Sequence, residues 1–183
     1  MSTILVNNIK DTGNNTLLTS DGSGNISSGG ALTNTPAFSA NNGSTDQTVS
    51  DETSTKINLG TEVFDTDSAF DTSNSKFTVP TGKGGKYLIS WSIDFLGTSN
   101  DMFSVNGYVF KNGASVHTEG FNANSSTNAQ YRRYKVDGTI VLELSAGDYL
   151  ELYTYVNTNG GGSVTAKSNE QATFFQGYKL IGA

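Results

Sequence analysis

Tyr87-Leu88-Ile89-Ser90-Trp91-Ser92-Ile93-Asp94-Phe95 is the stretch that decides the fold. Tyr87, Ile89, Trp91, Ile93 and Phe95 fall on one side of a period of two, and Ser90, Ser92 and Asp94 on the other. That period belongs to a β-strand with one buried face, so the stretch predicts a half-buried strand with Trp91 in the core. Downstream, Lys111-Asn112-Gly113-Ala114 carries the Asn-Gly pair suited to a type I′ turn, which makes Tyr108 to Lys111 and Ser115 to Thr118 the expected hairpin arms. Gly138 to Leu144 turns Ile140, Leu142 and Leu144 inward. Ala146-Gly147-Asp148 then leads into Tyr149 to Asn157, where Leu150, Leu152 and Val156 share a face. No segment sustains a helical period and no internal repeat is evident, so an all-β antiparallel sandwich is expected from Pro36 onward.

Residues 1–33 read differently. A short alternating start gives way to Gly, Ser, Asn and Thr, a composition that cannot build its own core. Composition alone suits a disordered tail. The spaced apolar residues Ile4, Val6, Ile9, Leu17 and Leu18 suit an extended anchor docked on partner chains, and such an anchor is expected. The chain therefore divides into an extended N-terminal anchor segment, 1–33, and a head, 34–183.

Composition narrows the classes of function. A head of about 150 residues buries roughly two-thirds of its extended-chain surface and needs no staple. Cysteine is absent, which excludes disulfides, thiolate metal sites and cysteine nucleophiles. With 11 Lys+Arg against 17 Asp+Glu and a net charge of -6, no nucleic-acid partner is expected. The start of the chain lacks the basic n-region of a signal peptide, and no apolar run approaches the ~20 residues of a membrane span. The chain is thus expected to be made in the cytoplasm and to reach an outside surface by another route, such as host lysis.

Catalytic chemistry has little to work with. The single histidine, His117, follows the Asn-Gly hairpin and is expected to be exposed and structural; one imidazole in a cysteine-free chain builds neither a triad nor a multi-histidine metal site. Lys83 among Gly82, Gly84 and Gly85 lacks the spacing of a phosphate loop. Asp65, Asp67 and Asp71 offer calcium-type ligands, but without the regular spacing of a calcium loop they read first as turn caps. Tyr131-Arg132-Arg133-Tyr134 is the one basic-aromatic cluster. It fits either a ligand contact, together with the loop residues Asn157 and Asn159, or a strand edge whose arginine pairs with nearby acids. Tyr149, Tyr153 and Tyr155 would lie on the solvated face of their strand, as surface tyrosines or as an oligomer interface.

Five blocks together resemble the C1q-like family of TNF/C1q jelly rolls. They are Thr35-Pro36-Ala37-Phe38-Ser39-Ala40; Phe70 to Pro80 with Gly85-Lys86-Tyr87; Lys111-Asn112-Gly113; Val141 to Asp148; and Thr173 to Leu180. The resemblance implies a C1q/TNF-like β-sandwich that forms a homotrimer, with Tyr149, Tyr153, Tyr155 and Phe175 as interface residues. Some members of that family bind calcium. The collagen-like stalk of animal C1q proteins is missing. The leader, Ile4 to Asn14 and Ser20 to Gly24, instead resembles the short N-termini of virion structural proteins of tailed, especially marine, bacteriophages. The expected function is a non-enzymatic virion component: a trimeric head on a tail fibre, collar appendage or capsid decoration, held by its leader to other virion proteins and touching a host glycan or protein. The alternative is a free soluble trimer that binds glycans.

Overall fold

The alternation from Tyr87 to Phe95 is realised as one thirteen-residue strand, Gly85–Gly97, in a computed structural model that describes residues 6–28, 34–99, 102–123, 131–159, 161–168 and 172–181. The chain forms two compact units. One comprises the described residues up to Asn34 with Leu180 and Ile181; the other is Thr35–Lys179.

In the first unit the expected extended leader is instead a small antiparallel meander of β1 (Asn8–Lys10), β2 (Thr16–Ser20) and β3 (Ile26–Ser28). Two aspartates close its turns. The Asp11 carboxylate accepts Asn15 N at 2.9 Å and Asn15 Nδ2 at 3.0 Å. Asp21 accepts Ser23 N at 2.7 Å and Asn25 Nδ2 at 2.6 Å. An aspartate that bonds its own turn fixes a hairpin with no core behind it. Val6, Ile9 and Leu17 remain exposed on this unit, Leu18 is half-buried, and Ile4 lies outside the described residues.

The second unit runs through β4 (Ala37–Asn41), β5 (Gln47–Val49), β6 (Thr55–Lys56), β7 (Thr61–Asp65), β8 (Phe70–Asp71), β9 (Lys76–Thr78) and β10 (Gly85–Gly97). It continues through β11 (Met102–Lys111), β12 (Ala114–Asn122), β13 (Arg133–Leu144), β14 (Tyr149–Thr158), β15 (Val164–Ala166) and β16 (Phe174–Lys179). In the larger sheet β10 pairs with β13 along one edge and with β16 and β15 along the other; β4 and β5 follow, and β7 lies outside β4. The smaller sheet has the order β12-β11-β14-β9-β8, with β6 also on β14.

Between the sheets lies the core. Tyr87, Ile89, Trp91, Ile93 and Phe95 are all fully buried, as the alternation predicts. Phe38 stacks on Phe77 at 4.3 Å, and Phe175 meets Phe38 edge-on at 5.3 Å. The indole of Trp91 reaches both neighbours at glycines: a Cβ at Gly107 on β11 would lie 2.3 Å from it, and one at Gly138 on β13 2.9 Å. Any side chain there would drive into the ring. The opposite face of β10 is only partly solvated, because Ser92 Oγ donates to Ala172 O at 3.0 Å and the Asp94 carboxylate is held by Arg133.

The Asn112-Gly113 turn forms as expected, with φ of 53° and 81°. Asn112 Oδ1 accepts Tyr149 N at 2.9 Å, Asn112 Nδ2 donates to Asp148 Oδ1 at 2.7 Å, and Lys111 pairs with Asp148 at 2.8 Å. The two most legible turns of the sequence are thus locked to one another. Hydrogen bonds from Lys111 and Asn112 hold the Asp148 carboxyl down at about 2.

His117 departs from expectation. The β11–β12 register shifts between Val109 and Phe110, so that Phe110 faces Ser115 but Val109 faces His117. Val116 is the extra residue of a β-bulge, and every later side chain on β12 changes face. His117 therefore turns inward, with its ring 6.2 Å from Trp91 and its Nε2 buried without a hydrogen-bond partner. Phe175, expected at an oligomer interface, also faces inward. It pairs with Trp91 and Ala40, shares their side of the sheet and belongs to the core of the single chain.

Replacing Trp91 with alanine empties the space between two glycines that cannot refill it. The expected loss is about 3–5 kcal/mol, measured by urea unfolding. A loss under about 1 kcal/mol would show that the indole is not the packed centre of the sandwich.

Candidate functional site

The strand after Asp148 alternates as expected: Leu150, Leu152, Thr154 and Val156 face inward, and Tyr149, Tyr153 and Tyr155 face outward, half-buried. The outer face of the smaller sheet gathers further rings that the sequence reading missed. Tyr108 pairs directly with Tyr153, and Phe110 stacks on Tyr153 at 4.4 Å and meets Tyr108 edge-on. Lys76 lies 5.2 Å from the centre of the Tyr149 ring, and Lys56 pairs with Glu151 at 2.6 Å. Much of this aromatic surface is already covered by its neighbours. Burial, with Tyr155 nearby, raises the pKa of Tyr108.

The outer face of the larger sheet is different. Register aligns Ala37, Tyr178, Leu88 and Val141 in one row across β4, β16, β10 and β13. Phe64, opposite Ser39 on β7, adds an aromatic one row away. Val141 is 51 % exposed, Phe64 49 % and Tyr178 38 %. Beside this band runs the side of the sandwich where β12 lies next to β13. There Phe121 stacks on Tyr134 at 4.7 Å and meets Tyr131 edge-on at 4.8 Å, while Tyr131 stays 42 % exposed.

The basic-aromatic cluster is therefore divided. Tyr131 and Tyr134 join this aromatic trio. Arg133 grips the buried Asp94 carboxylate through Nε at 3.1 Å and Nη2 at 2.6 Å, the strand-edge pairing considered for it. Removing Arg133 would leave the buried Asp94 carboxylate without its ion-pair partner. Arg132 keeps an exposed side chain while its carbonyl accepts Gly97 N at 2.7 Å. Met102 pairs with Tyr131 on one side and Thr158 on the other, which brings Asn157 and Asn159 to the same end of the sheet as Tyr131. Asn157 Nδ2 donates to Glu52 at 2.7 Å, and Asn159 is exposed.

Asp65, Asp67 and Asp71 point their oxygens at separate partners. Asp65 accepts Phe70 N at 2.6 Å and Asp67 N at 3.1 Å; Asp67 pairs with Lys83 at 3.0 Å; Asp71 accepts both Ser73 and Asn74. Hydrogen bonds from Asn74 and Ser73 hold the Asp71 carboxyl down at about 2. Among the described residues no three acidic or imidazole groups converge on a metal-sized position. Lys83, the glycine-flanked lysine, serves as the ion-pair partner of Asp67.

No family model matches the chain, and no curated protein matches it. Solved structures do. The Eiger TNF of S. frugiperda aligns at 16 % identity with a TM-score of 0.55, covering 80 % of this chain and 92 % of that one. The globular domain of zebrafish complement 1qA aligns at 16 % identity and a TM-score of 0.51, over 79 % and 97 %. Murine APRIL at pH 8.0 aligns at 14 % identity and a TM-score of 0.55, over 79 % and 98 %. The chain is all-β and has the TNF/C1q jelly-roll fold.

Because the carboxylates of the acidic turn are committed to turn donors and to Lys83, calcium at about 1 mM should leave the thermal midpoint unchanged. Asp65→Ala should lower stability by about 1–2 kcal/mol through loss of its capping bonds. A calcium-dependent rise in midpoint that Asp65→Ala abolishes would reverse the assignment.

Proposed function

We propose that this chain is a non-enzymatic virion structural protein, a homotrimeric TNF/C1q-like module displayed on a bacteriophage particle and contributing to host-surface attachment. The observation that carries self-association is the uncovered apolar band Tyr178, Leu88 and Val141 with Phe64, beside the Tyr131–Phe121–Tyr134 side. A three-membered ring is closed by heterologous contacts, patch against a different patch, and the two must lie on adjacent sides of the chain. Opposite faces would propagate a filament. The band and the aromatic side are adjacent, whereas the outer faces of the two sheets are opposite. The tyrosine face, Tyr149, Tyr153 and Tyr155, is the rival association surface, but its rings are half-buried, with Phe110 stacked on Tyr153 and Lys76 over Tyr149. The inward turn of the lone imidazole, His117, supports a role without catalysis.

Sedimentation of the full chain should give a trimer. Val141→Arg, on an exposed position, should give a folded monomer, whereas Tyr153→Ala should stay trimeric. The reverse pattern would move the interface to the tyrosine face, and a wild-type monomer would end the trimer reading.

The virion role is a reading of the leader's sequence, which resembles the N-termini of phage structural proteins, and is supported by its folding in a separate small unit with exposed Val6, Ile9 and Leu17. Three leaders on one trimer would attach multivalently through a raised effective concentration. Deleting residues 1–30 should abolish incorporation into particles and leave the head trimeric, as read by genetic complementation and protein analysis of purified particles. Normal copy number of the truncated chain would transfer docking to the head. Absence of the intact chain from particles would favour a free soluble trimer.

A further inference from the structure

At the Asn41 end of β4, away from Thr35 where the chain enters the second unit, the turn after β4, strand β5 and residues 58–61 border an open groove of about 520 Å³. This lies within the range of small-ligand sites. Its lining is hydroxyl and amide in character: the exposed residues Ser44, Thr45, Thr48, Asn58 and Thr61 border it, and their side chains make no hydrogen bond to other described residues. Asn42 lines it as well. This residue is only 7 % exposed and donates Nδ2 to Lys167 O at 3.1 Å, while its Oδ1 has no partner. A buried acceptor left open calls for a partner, an ordered water or a ligand hydroxyl.

Charge narrows the class of that occupant. The one carboxylate of the lining, Asp46, pairs with Lys167 and accepts Ser168 N at 2.6 Å, so it is neutralised inside the chain. No cationic side chain lines the groove to hold a phosphate, sulfate or carboxylate. What remains is a wall of uncharged donors and acceptors, which matches a ligand rich in hydroxyl groups. The shape is set by close approach: a Cβ at Gly43 would lie 2.5 Å from Thr61 Oγ1, so the turn seats against β7 only without a side chain.

We infer that this groove binds an uncharged glycan, built of neutral hexose or N-acetylhexosamine units. The inference deepens the attachment reading by giving it a site and a ligand class. It is formed by one chain, however, and does not depend on the trimer or the particle.

Saturation-transfer NMR on the full chain, with a panel of uncharged oligosaccharides beside sialylated and sulfated counterparts, tests it. At least one uncharged glycan should bind with a Kd of about 1 mM or tighter. Asn58→Ala should weaken it about tenfold through a lost hydrogen bond. Gly60→Tyr should abolish binding while leaving the fold intact, because a Cβ there meets nothing within 4 Å. The monomer made by Val141→Arg should bind as the wild type does, which separates this site from the trimer proposal. Silence from every uncharged glycan, preference for charged ones, or binding that survives Gly60→Tyr overturns the inference.

Discussion

The close approach of the two sheets around Trp91 is the constraint on which the rest of this molecule depends. One indole spans the layer from β10 to β11 and also overhangs β13, and it does so only because residues 107 and 138 carry no side chain. Three strands are thereby set at a separation fixed by one ring. The register of β11 then determines that of β12 and β14, and the register of β13 determines which residues face out from the larger sheet. Since a close-packed interior transmits a misfit of even one methyl group, the outer surfaces inherit their pattern from this interior contact.

The fold was legible because its strands alternate cleanly and its turns are chemically marked. Tyr87 to Phe95 and Tyr149 to Asn157 needed no more than a period of two, and Asn112-Gly113 no more than the preference for positive φ. His117 was illegible for a definite reason. The bulge at Val116 inserts one residue, and alternation read through a bulge assigns every later side chain to the wrong face. The hairpins of the leader were illegible for another reason. Composition signals the lack of a core, but the Asp11 to Asn15 and Asp21 to Asn25 turns need none.

The association surface was harder to see than the fold. Tyr149, Tyr153 and Tyr155 stand out in the sequence because they crowd one strand, whereas the apolar band takes single residues from four strands and is assembled only by register. Phe175 shows how parity decides such assignments. Its neighbours Gln176 and Tyr178 belong to the outer and exposed set, and Phe175, one step out of phase, lies opposite Trp91 in the core. Crowding of aromatics in sequence is thus a weaker sign of an uncovered surface than their exposure, because rings such as Phe110 and Tyr153 shield each other.

Charge links the groove to the molecule as a whole. A net charge of -6 creates a long-range field that disfavours the approach of anionic ligands, while an uncharged ligand does not feel it. Within the groove the one carboxylate is paired, so the local and global electrostatics point to the same class of ligand. Without charge or a covering aromatic ring, each contact is a solvent-competing hydrogen bond of modest net strength. Durable attachment would then have to come from number rather than from single-site affinity, since linked copies convert later binding steps into intramolecular ones. A weak neutral groove and a symmetric oligomer are therefore physically suited to each other, although each can be tested without the other.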